Sequence, residues 1–331
     1  MHLRLAILLL MALGVALAAM PARALDLQGH RGARGLAPEN TLEGFAAALG
    51  VGVTTLEMDL GVTRDGVVVV IHDQRLNPDL TRTADGRWVE PPGPALGDLT
   101  LAELKRFDVG RIRPGTSYAA RYPEQRAVDG AAIPTLAEVV ALVRKAGNRT
   151  VHFNLETKLS PRAPELAPDP EAFARAVVEA VQREGIRGRT TIQSFDWRTL
   201  HAVQALTPHI ALACLTAEQR WLDTVSRGRP GPSPWTGGLD VDQFEGDVAA
   251  LAAAAGCDVW SPHAGDVDQA AVRSAHRHGL RVIVWTVNDP AAMARLIEQG
   301  VDGIITDYPD RLRRVMAEQG LALPAPTPVA P

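Results

Sequence analysis

Lysine is nearly absent from this chain. Positive charge is carried almost wholly by arginine, with lysine only at Lys105, Lys145 and Lys158, and no long basic block occurs. With a net charge of −4, the protein lacks the basic stripe that nucleic-acid binding requires. Cysteine is scarcer still: Cys214 and Cys257 stand alone, without the clustered Cys/His set of a structural zinc site. Both lie in apolar, strand-like contexts (Ala213-Cys-Leu215 and Cys257-Asp-Val-Trp260), which favours buried thiols and leaves a disulfide open. No G-x-G-x-x-G turn follows the first strand candidate, which argues against an open dinucleotide-binding sheet. Only one long apolar run exists, Leu5–Ala18. It is short for a membrane span, and no second run of about 20 residues follows it.

That run sits behind a short basic start (Met1 to Arg4) and leads to Ala22-Arg23-Ala24. A basic start, an apolar stretch and an A-x-A site describe an export signal, so cleavage is expected after Ala24, with a periplasmic or secreted mature protein. Residues 321–331, rich in Pro and Ala, are expected to form a disordered tail. Residues 25–320 remain as one large unit.

Within that unit, short apolar runs alternate with longer amphipathic ones. Strand candidates are 25–30, 55–60, 151–156, 190–194, 210–215, 258–261, 281–287 and 303–306. Helix candidates fall between them, at 41–49, 136–145, 170–184, 197–206, 248–255, 267–278 and 291–299, and a last one at 310–319 closes the series. Such β/α alternation predicts an α/β fold, a (β/α)8 TIM barrel of parallel strands. Two segments interrupt it. A hairpin strand at 67–71 follows the Asp65-Gly66 turn and leads into an insertion at about 74–133; a second insertion, 217–246, is rich in Gly and Pro. Loops this long inside a compact domain are expected to wall a binding site.

In this architecture the strand C-termini carry the chemistry. Those positions hold His30 and Arg31, then Glu57 and Asp59, then Asn154, Glu156 and Lys158, then Gln193, and finally Trp285. The hairpin return adds His72. Glu57 and Asp59 are two apart on a strand, so both side chains face the barrel mouth, where their repulsion calls for a cation. Together with Glu156 they form an all-oxygen set suited to Ca²⁺ or Mg²⁺; pairing with nearby arginines is the alternative. Lys158 reads as a phosphate contact or as a salt-bridge partner of Glu156 or Asp59. His30 and His72, beside these carboxylates, suggest an acid–base pair. His263 is held in reserve; His201, His209, His276 and His278 fall on or beside helices.

These segments together resemble the glycerophosphodiester phosphodiesterase family. The likeness begins with His30-Arg-Gly-Ala-Arg-Gly-Leu-Ala-Pro-Glu-Asn-Thr41 and continues through Leu56-Glu-Met-Asp59 and Ile71-His-Asp73. It extends to Asn154-Leu-Glu-Thr-Lys158, Gln193-Ser-Phe195, Val284-Trp-Thr-Val-Asn288 and Gly303-Ile-Ile-Thr-Asp-Tyr-Pro309, with Thr157 the one minor departure. The resemblance implies a metal at Glu57, Asp59 and Glu156, His30 and His72 as general base and acid, and a phosphate held by Arg31 and Lys158. Trp285 would pack against the glycerol or its neighbour, and the substrate would be a small glycerophosphodiester. Asn40-Thr-Leu-Glu43 also reads as a helix N-cap, which gives Glu39 and Asn40 a structural role. Sphingomyelinase D-like and phospholipase-type enzymes share the barrel and the chemistry, and a non-catalytic periplasmic binding protein is the alternative of another class. Oligomeric state is not legible.

Overall fold

The computed structural model describes residues 24–331; the expected export signal lies outside them, apart from Ala24. Strands run β1 (Asp26–Gly29), β2 (Thr55–Val62), β3 (Val68–Val70), β4 (His152–Thr157), β5 (Thr190–Ser194), β6 (Ala211–Thr216), β7 (Glu218–Gln219), β8 (Leu222–Asp223), β9 (Val259–Pro262), β10 (Arg281–Val284) and β11 (Gly303–Thr306). Helices are α1 (Leu42–Val51), α2 (Leu101–Leu104), α3 (Ser117–Arg121), α4 (Leu136–Lys145), α5 (Pro170–Arg183), α6 (Trp197–Leu206), α7 (Val248–Ala254), α8 (Gln269–Arg277), α9 (Pro290–Glu298) and α10 (Pro309–Glu318). The parallel strands β1, β2, β4, β5, β6, β9, β10 and β11 pair in that order, and β11 returns to β1, closing the expected (β/α)8 barrel. β3 folds back antiparallel on β2, as the Asp65-Gly66 turn implies.

Local chemistry explains where the helices begin. Thr100 with Glu103 and Thr135 with Glu138 make reciprocal capping boxes at α2 and α4. Asp169, Asp196, Asp247, Asp268 and Asp289 each accept backbone N–H groups at the start of α5 to α9. Five aspartates and two glutamates thus serve helix starts rather than the site. The insertion after β3 holds its own small core, built on Val69, Leu76, Leu96, Leu104 and Ile133. It also contains α3, capped by Thr116, which the alternation of apolar residues does not announce.

The barrel interior has two halves. β1, β2, β4 and β5 turn Gln28, Glu57, Asp59, Asn154, Glu156 and Gln193 inward, and all are buried. On the opposite side, Ala213, Val259, Ile283 and Ile305 form an apolar cluster beneath Trp285. Register aligns the polar half: Glu57 stands beside Asn154, Asp59 beside Glu156, and Glu156 beside Gln193.

Two expectations are corrected. Cys214 and Cys257 are bonded to each other, with Cα atoms 6.0 Å apart, rather than being free thiols. β6 and β9 are paired neighbours, and the turn before β9 brings Cys257 back beside Cys214, which 43 residues of sequence conceal. The Pro/Ala tail is not disordered. The Thr327 N–H donates to the Leu49 carbonyl at 2.9 Å, Asn148 Nδ2 donates to Thr327 Oγ1 at 3.0 Å, and Arg313 Nη1 donates to the Pro324 carbonyl at 2.6 Å. An extended proline-rich segment has few internal hydrogen bonds, so its backbone groups are free to pair with α1 and α10 and, through Lys145 Nζ on the Ala330 carbonyl at 2.9 Å, with α4, and its prolines lose little entropy on ordering.

Replacing both cysteines by alanine should cost about 2–4 kcal/mol, the scale expected for opening a loop of this length. Urea unfolding of the oxidised protein and the variant measures it; coincident transitions would show the bridge to be idle.

Candidate active site

The loop after β1 begins the site. His30 leaves the strand, Arg31 takes a left-handed conformation (φ 51°) and Gly32 follows at φ 86°. A Cβ on Gly32 would lie 2.5 Å from the Gly44 carbonyl carbon, so only glycine allows α1 to approach this closely. The turn aims the Arg31 N–H at Glu57 Oε2, 2.9 Å away. Non-glycine residues in this region are strained, and Asn40 (φ 53°) is a second case in the same loop. Asn40 is not the helix cap; Thr41 takes that role by accepting from the Gly44 N–H. Asn40 Nδ2 instead donates to Asp59 Oδ2 at 2.8 Å, and Glu39 accepts from Arg31 Nη1 at 2.6 Å. Both residues therefore hold the site's charged groups.

Glu57, Asp59 and Glu156 converge as the strand spacing requires. One oxygen from each lies within 4.8 Å of the others, and all three residues are buried. Surrounding groups satisfy part of this charge. Gln193 Nε2 donates to Glu57 Oε1 at 2.9 Å, and Asn154 Nδ2 ties Gln193 to Gln28 at 2.9 and 2.8 Å. Lys158 Nζ donates to Glu156 Oε1 at 2.7 Å and lies 3.7 Å from Asp59 Oδ1, while Arg31 Nε lies 3.0 Å from Asp59 Oδ2. Asp59 Oδ1 remains buried without a hydrogen-bond partner. An all-oxygen donor set with an orphaned buried carboxylate oxygen fits a divalent cation.

The electrostatics reflect the crowding. Burial, then repulsion from Asp59 and Glu156, pushes the Glu57 carboxyl well above the usual range. Burial also raises Glu156, to about 7, with Lys158 opposing and Asp59 reinforcing the shift. Burial works the same way on Asp59, but Arg31, His72 and Lys158 outweigh it and hold its carboxyl well below the usual range.

Each histidine has a carboxylate behind it. His30 Nδ1 lies 2.7 Å from Asp307 Oδ1, and His72 Nδ1 lies 2.6 Å from Asp73 Oδ1. An ionised carboxylate only accepts, which favours the tautomer with the proton on Nδ1 and the lone pair on Nε2; at His30 the Arg34 Nη2 donor, 3.1 Å from the same Nδ1, opposes that preference. Asp307 is fixed by Arg34 Nε at 2.8 Å and Asn288 Nδ2 at 2.7 Å; Asp73 is fixed by Asn77 Nδ2 at 2.8 Å. Burial and the Arg34 charge lower the His30 pKa to about 4 against the pull of Asp307. Burial, Arg31 and Lys158 likewise lower His72.

His30, Arg31, His72, Glu57, Glu156, Lys158 and Trp285 all line one cavity of about 450 Å³, and Asp59 lies beneath it. Trp285 Nε1 donates to the Ser261 carbonyl at 2.9 Å, and the ring packs edge-to-face against Phe195, 5.2 Å between centroids. The second insertion contributes Trp221, Leu222 and Trp235 to the wall. The first contributes only Gln74 and otherwise buttresses the β1 loop: Tyr118 donates to Glu39, and Gln125 Nε2 donates to the Arg34 carbonyl at 2.7 Å. Its expected place there belongs to the loop after β4, through Leu159, Ala163, Leu166 and Ala167. His263 Nδ1 accepts from the Gly265 N–H at 3.1 Å, and its ring joins the aromatic wall. Asp307, Arg34 and Trp221 were not singled out from sequence. Asp307 and Arg34 lie within matching motifs, but nothing in their spacing says that they meet His30.

Comparison with known proteins places these features. Residues 30–311 match the model of the glycerophosphoryl diester phosphodiesterase family. A Bacillus subtilis (strain 168) glycerophosphodiester phosphodiesterase is 29% identical over 295 residues, covering 86% of this chain and 84% of that one. A solved structure of a candidate glycerophosphoryl diester phosphodiesterase from Silicibacter pomeroyi DSS-3 is 35% identical with a TM-score of 0.79, covering 91% of this chain and 96% of its own. An Oleispira antarctica phosphodiesterase, solved with the product sn-glycerol-3-phosphate, is 25% identical with a TM-score of 0.63, covering 89% and 97%.

Burial and mutual repulsion favour the protonated forms of Glu57 and Glu156, so a cation entering the carboxylate cluster competes with protons there. Binding should therefore release protons, and affinity should climb as pH rises through about 7, where Glu156 ionises. Calorimetric titration with Ca²⁺ or Mg²⁺, in buffers of different ionisation enthalpy, measures both. An affinity that is flat from pH 5 to 8 would exclude these carboxylates as ligands.

Proposed function

This chain belongs to the glycerophosphoryl diester phosphodiesterase family and is a phosphoric diester hydrolase, and we propose that it cleaves glycerophosphodiesters to glycerol 3-phosphate and an alcohol by metal-assisted acid–base catalysis. One observation carries this reading: three converging carboxylates and two carboxylate-backed histidines line or underlie a single cavity together with Arg31 and Lys158. The O. antarctica relative was solved with the sn-glycerol 3-phosphate that such a reaction would release.

Glu57, Asp59 and Glu156 would hold the divalent ion, Ca²⁺ or Mg²⁺. Bound there, it would supply Lewis-acid stabilisation of charge building on a phosphoryl oxygen. Arg31 and Lys158 would hold the remaining phosphate oxygens. Their present bonds to Asp59, Glu39 and Glu156 pre-position them. His30 serves as the base: with its pKa lowered to about 4 and Nδ1 committed to Asp307, Nε2 is free to accept a proton at neutral pH. His72 serves as the acid. In the free protein Arg31 and Lys158 repel its proton, and a bound phosphodiester anion would offset both cations while Asp73 retains the ring orientation. Trp285 would pack against the glycerol or its neighbour. Water or a glycerol hydroxyl would both serve as the nucleophile in this geometry. We further place the mature protein in the periplasm or outside the cell: Ala22-Arg23-Ala24 supplies the cleavage site, and a Cys214–Cys257 bridge suits an oxidising compartment.

Glu57→Gln should abolish tight metal binding and activity while leaving the fold intact. Metal should also raise the melting temperature of the wild type in a concentration-dependent way and fail to do so for the variant. Unchanged calorimetric affinity in Glu57→Gln would remove this residue from the ligand set.

His30→Ala and His72→Ala should each lower kcat on glycerophosphocholine on the order of 10²–10⁴-fold. The double variant should lose less than the product, because the two act as a unit. Bis-p-nitrophenyl phosphate, whose leaving group needs no proton, should partly rescue His72→Ala and leave His30→Ala impaired. Near-wild-type rates in both single variants would make these histidines structural.

A further inference from the structure

We propose that Tyr118, carried by the insertion after β3, is a positioning residue for the substrate phosphate: it occupies one oxygen of Glu39, so that this carboxylate grips Arg31 by its other oxygen alone and leaves the guanidinium with N–H groups to offer. The inference rests on the hydrolase reading above and adds a residue to its phosphate clamp.

Glu39 stands behind Arg31 in the β1 loop, and its two oxygens have different partners. Oε1 accepts from Arg31 Nη1 at 2.6 Å, and Oε2 accepts from the Tyr118 hydroxyl. The direction of the second bond is fixed. Arg34 Nη1 lies 3.4 Å from the same hydroxyl and can only donate, so the phenol turns its hydrogen to Glu39. Burial pushes the Tyr118 hydroxyl above its ordinary range, which keeps it a donor at neutral pH. Burial also opposes charge on Glu39, but Arg31, Arg34 and Tyr118 outweigh it and hold that carboxyl below the usual range.

The insertion is built to hold the phenol in place. Tyr118 is buried on α3, whose start is capped by Thr116. The Arg121 guanidinium lies over its ring at 4.6 Å, and the Tyr122 ring meets it with centroids 5.2 Å apart. Tyr122 in turn faces Arg34 at 4.7 Å. Beyond α3, Gln125 Nε2 donates to the Arg34 carbonyl at 2.7 Å and the Arg126 N–H to the Leu36 carbonyl at 2.9 Å, which fastens the segment to the β1 loop.

Without the hydroxyl, Glu39 Oε2 would be a carboxylate oxygen short of its donor, and an unmet buried acceptor is costly. The Arg31 guanidinium, already bonded to the other oxygen, can supply a donor by turning into a bidentate pair, the stronger arrangement for arginine and a carboxylate. Arg31 lines the cavity, and its Nε already lies 3.0 Å from Asp59 Oδ2. A second grip by Glu39 would therefore draw it away from the phosphate.

The test is Tyr118→Phe, which keeps the ring against Arg121 and Tyr122 and removes only the hydroxyl. With the divalent metal present, calorimetric affinity for sn-glycerol 3-phosphate should fall on the order of tenfold, the size of one lost hydrogen bond to a charged group. KM for glycerophosphocholine should rise in parallel while kcat changes little, the signature of binding lost equally from ground and transition states. Glu39→Gln should also weaken binding, and the losses of the two variants should not add, since the hydroxyl acts through that carboxylate. Unchanged affinity and KM in Tyr118→Phe, with both impaired in Tyr118→Leu, would overturn the proposal and leave the tyrosine a packing residue. So would additive losses, or a Tyr118→Phe that loses kcat and melting temperature together. Weaker glycerol 3-phosphate binding in Tyr118→Phe, alongside a wild type that turns over no glycerophosphodiester, would support the clamp and count against the hydrolase reading. A wild type that binds neither glycerol 3-phosphate nor inorganic phosphate would overturn the clamp.

Discussion

Repulsion among three buried carboxylates governs this molecule's active end. Glu57, Asp59 and Glu156 are held together by strand register, with ligand atoms within 4.8 Å of one another. Like charges in a poorly hydrated space are costly unless countered. The protein responds with cations at the rim and amide donors below, and the remaining repulsion raises the pKa of Glu57 and Glu156. None of these removes the strain on Asp59 Oδ1, which stays buried without a hydrogen bond. A divalent ion is the counter-charge of fitting size and hardness.

That constraint explains the division of the barrel interior. Gln28, Asn154 and Gln193 form a hydrogen-bonded amide chain that ends on Glu57, so the polar half of the lumen is satisfied by groups that carry no net charge. The other half is packed with Ala213, Val259, Ile283 and Ile305 and supports Trp285 from beneath. Charge is thus confined to one side of the mouth, and apolar contact is offered on the other. A phosphodiester has the same division, with an anionic centre and an alcohol on either side.

Precision at the histidines comes from residues remote in sequence. Asp307 follows the last barrel strand and His30 follows the first, and barrel closure makes these two strands neighbours. Arg34 and Asn288 then lock the carboxylate. Tyr118, from the first insertion, holds Glu39, which holds Arg31. The insertion therefore acts on the site through its support of the β1 loop, while Trp221 and Trp235 of the second insertion meet the cavity directly.

Alternating apolar runs determined the barrel, since period and length separate buried strands from amphipathic helices without reference to contacts. Threonine and glutamate three apart likewise mark the starts of α2 and α4 by a purely local pattern. Strand spacing put Glu57 and Asp59 on one face, because a two-residue period is intrinsic to the extended backbone. Other features depended on who meets whom after closure. Asp307 behind His30, Cys214 bonded to Cys257, Asn40 on Asp59 and the tail laid on α1 all join residues distant in sequence or set by an unusual backbone angle. Local pattern reports which face a side chain takes; only the closed barrel decides which partner stands opposite, because register and loop path are settled by packing the whole chain at once.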